Sequence, residues 1–193
     1  MENHGIVSAR MIKSLWALFF LGLTTVQSSA ASFIPNGSKT STPFGHVAFC
    51  KTNPNECRAK KSAKPDLITA VRWATVQKIN TSVNSAIKPI SDQQSSGTAD
   101  VWSASVKSGD CEDYALAKRR KLVSAGFKSA NLRLAMARTP SGIAHLVLVM
   151  RTEKGDMVLD NLRSDIKPWN QTGYRFLKIQ AFGNGSQWVS IAG

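Results

Sequence analysis

One cysteine stands where a polar loop passes into a helix-forming run, within Ser-Gly-Asp-Cys-Glu-Asp-Tyr-Ala-Leu-Ala at 108–117. Asp110 is a favourable helix N-cap, because an aspartate side chain accepts hydrogen bonds from the free amides of the first turn. The helix then continues through a basic segment, 118–121, to a natural stop at Gly126. Cys111 would therefore lie at the positive end of the helix macrodipole, which favours the nucleophilic thiolate.

Residues 1–30 have the pattern of a signal peptide. Arg10 and Lys13 precede a mostly apolar run of about 12 residues, 15–26, which matches a signal-peptide core. The alternative is a single-pass anchor, but the run is too short to cross roughly 30 Å of hydrocarbon. We therefore predict cleavage after small residues, a periplasmic or secreted product without a membrane span, and one domain at 31–193.

The chain is strongly basic, with 25 Lys and Arg against 12 Asp and Glu and a formal net charge of +13. Such a balance can indicate nucleic-acid binding. Here the basic residues are scattered rather than gathered into one motif, and an exported protein seldom meets nucleic acid. We predict a solvated basic surface suited to an anionic envelope, and no nucleic-acid partner.

Two of the three cysteines are predicted to form a disulfide. Cys50 and Cys57 enclose six residues that include a proline and two asparagines, which favour a turn. In an oxidising compartment such a pair is expected to be bonded. A zinc site formed with His46 is the alternative, although no fourth ligand is evident. Pairing these two leaves Cys111 unpaired, which is a liability in an exported protein unless its reactivity is used.

Helix-forming sequence precedes strand-forming sequence, after a flexible lead-in at 31–43 that is rich in Ser, Thr and Pro. Apolar spacing predicts a helix that begins at Pro65 and ends before Pro89. The polar segment 91–109 is predicted to be a loop that leads to the cysteine helix. Strands are predicted at 132–137, 144–150, 157–162, 174–181 and, as an edge strand, 188–191. The predicted fold is α+β, with the cysteine at the start of a helix packed on an antiparallel sheet.

His145 and Asp160 interrupt apolar strands that otherwise favour burial. If residues 152–155 form a four-residue hairpin loop, Asp160 lies opposite Val147 and on the same face of the sheet as His145. The carboxylate could then reach the imidazole. An odd-numbered loop without a bulge would place the two side chains on opposite faces.

These residues predict nucleophilic catalysis if the fold brings them to Cys111. The Cys111 thiolate would attack a carbonyl carbon, and His145 would take up the thiol proton and later deliver a proton to the leaving amine. Asp160 would fix the ring tautomer and stabilise the imidazolium. The backbone amide of Cys111 is the first candidate for an oxyanion donor, since it lies at a helix start.

Three acids, Asp110, Glu112 and Asp113, crowd the cysteine and oppose a thiolate. Helix capping would explain Asp110 or Asp113 alone. Three acids around one nucleophile favour a compensating cation, with Ca²⁺ expected before Mg²⁺.

A set of sequence blocks, taken together and in order, resembles the bacterial transglutaminase-like cysteine peptidases. The blocks are Pro-Phe-Gly-His-Val-Ala-Phe-Cys at 43–50, Gly-Asp-Cys-Glu-Asp-Tyr-Ala at 109–115, His-Leu-Val-Leu at 145–148 and Leu-Asp-Asn-Leu at 159–162, with Cys57 in addition. The resemblance covers nearly the whole mature chain. Many members carry proline three residues after the tryptophan that corresponds to Trp102, whereas this chain has Ser105.

The resemblance implies a papain-like core with Cys111, His145 and Asp160 as the triad. The best-known members are calcium-dependent periplasmic proteases that release large surface adhesins by cutting near their N-termini. A protein substrate, such as an adhesin that supports biofilm, and a membrane-anchored regulator are the partners that this implies.

The resemblance also implies that the acids flanking the cysteine bind Ca²⁺, which points to Asp110 and Glu112 and, as a further ligand, Asp113. The triad is compatible with other activities as well. Acyl transfer to an amine and hydrolysis of peptidoglycan amides use the same groups, and a non-catalytic binding module could retain the fold.

Overall fold

The computed structural model describes residues 1–2, 31–58, 60, 64–95, 97 and 100–192. The predicted signal peptide therefore lies outside the described residues, apart from its first two positions. Among the helices that are described, none is long and apolar enough to cross a membrane.

A seven-stranded antiparallel sheet forms the centre of the described chain. The strands in chain order are β1 (Asn36–Thr40), β2 (Lys88–Pro89), β3 (Ser108–Gly109), β4 (Leu132–Arg138), β5 (Ala144–Thr152), β6 (Gly155–Leu159), β7 (Lys167–Pro168), β8 (Arg175–Ala181) and β9 (Asn184–Ile191). The large sheet has the order β1-β9-β8-β4-β5-β6-β7, while β2 and β3 form a separate parallel pair.

The helices precede most of the sheet, as the sequence predicts. They are α1 (Phe44–Thr52), α2 (Pro54–Cys57), α3 (Ala70–Ala86), α4 (Asp92–Ser95) and α5 (Cys111–Ser124), and short 3₁₀ turns follow at Ser129–Asn131 and Trp169–Gln171. The predicted α+β class is confirmed.

The long helix α3 starts five residues later than predicted, at Ala70 instead of Pro65. Thr69 is its N-cap, since the Thr69 hydroxyl accepts a hydrogen bond from the Arg72 amide at 3.3 Å. The residues before it are extended because Asp66 forms a bridge with Thr152 at the end of β5. Pairing with the sheet thus overrides the helix-start signal of the proline.

Both faces of the sheet are apolar, which explains the continuous apolar sequence of β5. Leu146 and Leu148 pack in the core beneath α3 and α5. Val147 and Val149 belong to a second core on the opposite face, to which Ile34 contributes from the segment before β1. This packing fixes α5, and with it Cys111, against the strand that carries His145.

Two of the sequence predictions about loops and edges are wrong. Residues 36–40, predicted to be flexible, form β1, in which Lys39 pairs with Val189. Because β1 covers it, β9 is an interior strand and not an edge. The polar segment 91–109 is also less irregular than expected, because it contains α4 and β3.

Candidate active site

Cys111 and His145 line the same open cleft, whose volume is about 500 Å³. Asp110 lies beside Cys111 in this cleft, and Tyr174 and Asn161 contribute from the sheet side. The cleft is therefore formed where the start of α5 meets the start of β5 and the segments after β6 and before β8.

The cysteine helix begins where the sequence predicts. Asp110 is the N-cap of α5, and its backbone amide donates to the Asp113 carboxylate at 3.3 Å, as in a capping box. The helix ends at Ser124, shortly before Gly126, which has a positive φ of 83°. Cys111 is the free cysteine of the described chain and is half-buried.

The thiol is less acidic here than the helix dipole alone predicts. Burial is the largest cause that raises the Cys111 pKa, and the neighbouring Glu112 carboxylate raises it further. The thiol donates to Glu112 Oε2 at 3.1 Å. A hydrogen bond from the Leu146 backbone amide acts in the opposite direction. This amide follows His145 directly, so the sulfur lies against the beginning of β5.

His145 and Asp160 are brought together as the hairpin register predicts. Arg151 pairs with Asp156, as predicted, and the ladder reaches Leu159. The predicted four-residue loop at 152–155 is wrong, because Thr152 also pairs with Gly155 and leaves a turn of two residues, which keeps the same register. His145 Nε2 is 2.8 Å from Asp160 Oδ1, and both side chains are buried. Within the described residues, the other ring nitrogen, Nδ1, has no hydrogen-bond partner, so it remains available to the cleft.

Strand β6 ends at Leu159, before the predicted boundary at residue 162, and Asp160 lies directly after it. The Leu162 amide turns back and donates to Asp160 Oδ1 at 3.0 Å, while the Tyr174 hydroxyl donates to Asp160 Oδ2 at 2.5 Å. Burial would raise the Asp160 pKa, but the bonds from His145, Tyr174 and the Leu162 amide hold it below its usual range. Asp160 is thus a buried carboxylate whose negative charge is stabilised by hydrogen bonds from the protein.

Helix α3 fixes the loop that follows Asp160. The Asn84 side-chain amide donates to the carbonyl oxygens of Asp160 at 2.9 Å and Arg163 at 3.0 Å, and the Asn80 amide donates to the Ser164 carbonyl at 3.1 Å. The sequence analysis missed both asparagines and Tyr174. Only the four-residue spacing of the asparagines, which places them on one helix face, is visible in the sequence.

An acidic cluster lies next to the cysteine. One carboxylate oxygen from each of Asp92, Asp110 and Asp113 lies within 4.8 Å of the others. Burial raises the Asp113 pKa to about 6 and also raises that of Asp92, with mutual repulsion adding to both. Asp110 Oδ1 is buried and has no hydrogen-bond partner among the described residues. Crowded carboxylate oxygens with an unsatisfied lone pair fit a hard cation such as Ca²⁺.

Glu112 lies outside this three-carboxylate group, although the sequence placed it with Asp110 and Asp113. Its carboxyl group contacts the Cys111 thiol and also hydrogen-bonds to Asp110. Burial, followed by the proximity of Asp110, raises the Glu112 pKa to about 8. Asp92 is instead the third member of the group, and it was not predicted because it lies 18 residues before Asp110.

Cys50 and Cys57 form the predicted disulfide, with an S–S distance of 2.02 Å. His46 packs beside it, but its Nδ1 accepts a hydrogen bond from the Trp188 indole at 3.2 Å. Burial lowers the His46 pKa to about 4, so the ring is neutral at pH 7. The alternative zinc site is therefore not formed, because both sulfurs are bonded to each other. Trp102 packs on the His46 ring at 5.3 Å between centroids and so anchors the loop that leads to α5.

The chain belongs to the bacterial transglutaminase-like cysteine proteinases, since the sequence model of that family matches residues 36–193. It is thus a member of a cysteine peptidase family, and the resemblance noted in the sequence is confirmed. A search of curated proteins gives no match.

Solved structures of Legionella pneumophila LapG are similar to this chain. The calcium-bound form is 24% identical with a TM-score of 0.53, over 76% of this chain and 80% of LapG. A second structure is 26% identical with a TM-score of 0.50, over 61% of this chain and 68% of LapG. The EGTA-treated form, at a TM-score of 0.47, is matched over only 62% of its length.

Proposed function

We propose that this protein is an exported cysteine endopeptidase in which Cys111, His145 and Asp160 form the catalytic triad. The observation that carries the proposal is the 2.8 Å bond between His145 Nε2 and Asp160 Oδ1, made at the edge of the cleft that Cys111 lines. Membership of a cysteine proteinase family supports the same reaction class.

In the proposed reaction, His145 accepts the Cys111 proton at Nδ1, the ring nitrogen that Asp160 does not occupy. The thiolate then attacks the scissile carbonyl carbon, and the imidazolium returns the proton to the leaving amine. Water hydrolyses the resulting thioester with His145 as the base. The Cys111 backbone amide, at the start of α5, is the proposed oxyanion donor.

Calcium is part of the proposal because the acidic cluster has the donors that a hard cation requires. Asp92, Asp110 and Asp113 would hold the ion, and Glu112 lies at their margin. A bound Ca²⁺ would add positive potential beside the thiol and offset the carboxylates that disfavour thiolate. The calcium-bound form of LapG, whose fold is similar, supports calcium binding by this chain.

The substrate is proposed to be a surface protein, such as an adhesin, cut in an extended segment that enters the open cleft. This follows from the family resemblance, as do the periplasmic location and a membrane-anchored regulator. The signal-peptide pattern at 1–30 supports export, and 31–193 is the proposed mature domain.

The test compares the proteins released from cells that carry wild-type protein with those released from cells that carry Cys111→Ala. Wild-type cells should release a large surface protein with a new N-terminus, and the variant should release none. Equal release from both would overturn the proposal. An amine cross-link in place of a cut would assign the triad to acyl transfer.

A further inference from the structure

Tyr174 contacts two members of the proposed triad at once. Its hydroxyl donates to Asp160 Oδ2 at 2.5 Å. Its ring meets the His145 imidazole edge-on, with 5.7 Å between centroids and an interplanar angle of 86°. The ring also forms part of the cleft wall. Apart from His145, no other described side chain makes a hydrogen bond to the Asp160 carboxylate.

We propose that Tyr174 is a positioning residue for the reaction: it holds the Asp160 carboxylate in the orientation that keeps the His145 ring aimed at Cys111. This inference rests on the proposed function and adds a fourth side chain to it.

The first argument is the number of donors around Asp160. Among the described residues, Oδ1 accepts two hydrogen bonds, from His145 and from the Leu162 amide, whereas Oδ2 accepts one, from Tyr174. Without the phenol, a buried carboxylate oxygen would lose its partner and the group could rotate toward another donor. Such a rotation would lengthen the bond to His145.

The second argument is that Tyr174 is itself held rigidly. The Tyr174 amide donates to the Thr172 hydroxyl at 3.1 Å, and that hydroxyl donates to the Trp169 carbonyl at 2.8 Å. Gly173 has a φ of 74°, a conformation that glycine adopts without strain. The turn is followed directly by β8, which begins at Arg175, so the sheet fixes the position of the Tyr174 phenol.

The third argument is that the phenol keeps its proton. Burial raises the Tyr174 pKa, and the hydrogen bond to the Asp160 carboxylate raises it further. The group therefore remains a donor across the neutral range, and a donor lowers the pKa of the carboxylate that it contacts. The other charged or titratable groups that act on Asp160 are His145 from β5, buried Lys118 from α5 and exposed Arg163.

The experiment uses Tyr174→Phe, which removes one oxygen atom and leaves the ring. The chain offers a matched control, because Tyr114 is its only other tyrosine and donates to the Ile87 carbonyl at 2.5 Å. The substrate is a synthetic peptide that spans the cleavage site found by comparing wild-type protein with Cys111→Ala. Initial rates are measured across the pH range for each protein.

For Tyr174→Phe, kcat should fall about tenfold with KM within about twofold, since the variant loses a hydrogen bond to an ionised group that positions the triad but keeps the cleft wall. The acid limb of kcat/KM should move to higher pH by about half a unit or more, because the carboxylate protonates more easily. Tyr114→Phe, which also removes one buried hydroxyl, should lower thermal stability about as much as Tyr174→Phe does. It should leave both the acid and the basic limb of the kcat/KM profile in place. An unmoved acid limb in Tyr174→Phe, whatever its rate, would overturn the inference.

If Tyr174→Phe fails to fold, 3-fluorotyrosine is incorporated into the Tyr114→Phe protein, which labels Tyr174 alone. The more acidic phenol is a stronger donor, so the acid limb should move to lower pH, and no movement would refute the role. If the Cys111→Ala protein still cleaves the peptide, the proposed triad itself is rejected. An inactive Cys111→Ala together with a wild-type profile for Tyr174→Phe would reject only the role of the tyrosine.

Discussion

At the level of single residues, the acidity of the Cys111 thiol is decided by its immediate neighbours. A helix start favours a cysteine thiolate, yet burial and the Glu112 carboxylate together raise the Cys111 pKa. The 3.1 Å contact between the Cys111 sulfur and Glu112 Oε2 makes Glu112 the neighbour to change first.

Glu112→Gln should make Cys111 react faster with iodoacetamide, by about tenfold or more at about pH 9, because Glu112 is ionised above its pKa of about 8 and the substitution removes that charge beside the sulfur. The reaction is followed by mass spectrometry in EGTA, so that no cation masks the effect, and with the Cys50–Cys57 disulfide intact. Glu153→Gln, which changes an exposed acid, is the matched control and should match wild type. A Glu112→Gln rate equal to that of wild type would show that burial alone controls the thiol.

At the scale of elements, α5 carries a second unusual side chain on the face that packs into the core. Lys118 lies two turns after Cys111 and is fully buried. Its ammonium nitrogen has no hydrogen-bond partner among the described residues. Burial lowers the Lys118 pKa to about 7, and attraction to Asp160 only partly opposes this.

The lowered pKa of Lys118 makes the stability of the protein depend on pH. The unfolded chain holds the Lys118 proton up to about pH 10.5, whereas the folded chain releases it near 7. Between these values the unfolded state binds more protons, so the free energy of unfolding rises with pH. Below about pH 7 Lys118 is charged in both states, so the folded protein bears the full cost of the buried charge.

Lys118→Met should therefore raise the melting temperature at pH 6 and flatten the rise in stability between pH 7 and 10, because an unpaired buried charge is replaced by an apolar chain of similar length. Thermal unfolding at several pH values measures both effects. Lys121→Met, an exposed change on the same helix, should retain the wild-type slope. A steep slope that persists in Lys118→Met would assign the dependence to other groups.

At the scale of the whole molecule, the acidic cluster joins two separate segments of chain. Asp92 belongs to α4, whereas Asp110 and Asp113 belong to the start of α5. The Asp113 carboxylate also accepts the Ser103 amide at 2.8 Å, so the intervening loop is tied to the same point. A cation held there would stabilise the path of the chain into the active site.

Adding Ca²⁺ should raise the melting temperature of the wild-type protein, and EGTA should lower it and abolish activity, because the ion binds the folded state. Asp92→Asn should weaken Ca²⁺ binding about tenfold or more in calorimetry, as one charged ligand is lost. Asp165→Asn, which neutralises an exposed acid outside the cluster, should bind Ca²⁺ like wild type. Equal affinity in Asp92→Asn would remove this residue from the site.

Much of the architecture could be read from local sequence. The start of α5 follows from an N-cap aspartate, and β5 from a continuous apolar run. The His145–Asp160 pair followed from an even-numbered hairpin, because side chains alternate along a strand. β1 was missed since its sequence is polar, and its strand conformation comes from pairing with β9.

Local sequence patterns alone predict the helix that begins at Cys111, the order of helices before strands and the family, because capping, periodicity and motif spacing act over a few neighbouring residues. Only the tertiary structure brought Asp92 to the acidic cluster, Tyr174 to Asp160, and Asn84 to a loop 76 residues away along the chain. These contacts join segments that are distant in sequence and require only a single donor or acceptor from each. Such a group leaves no local pattern, so its partner is defined only once the chain has folded.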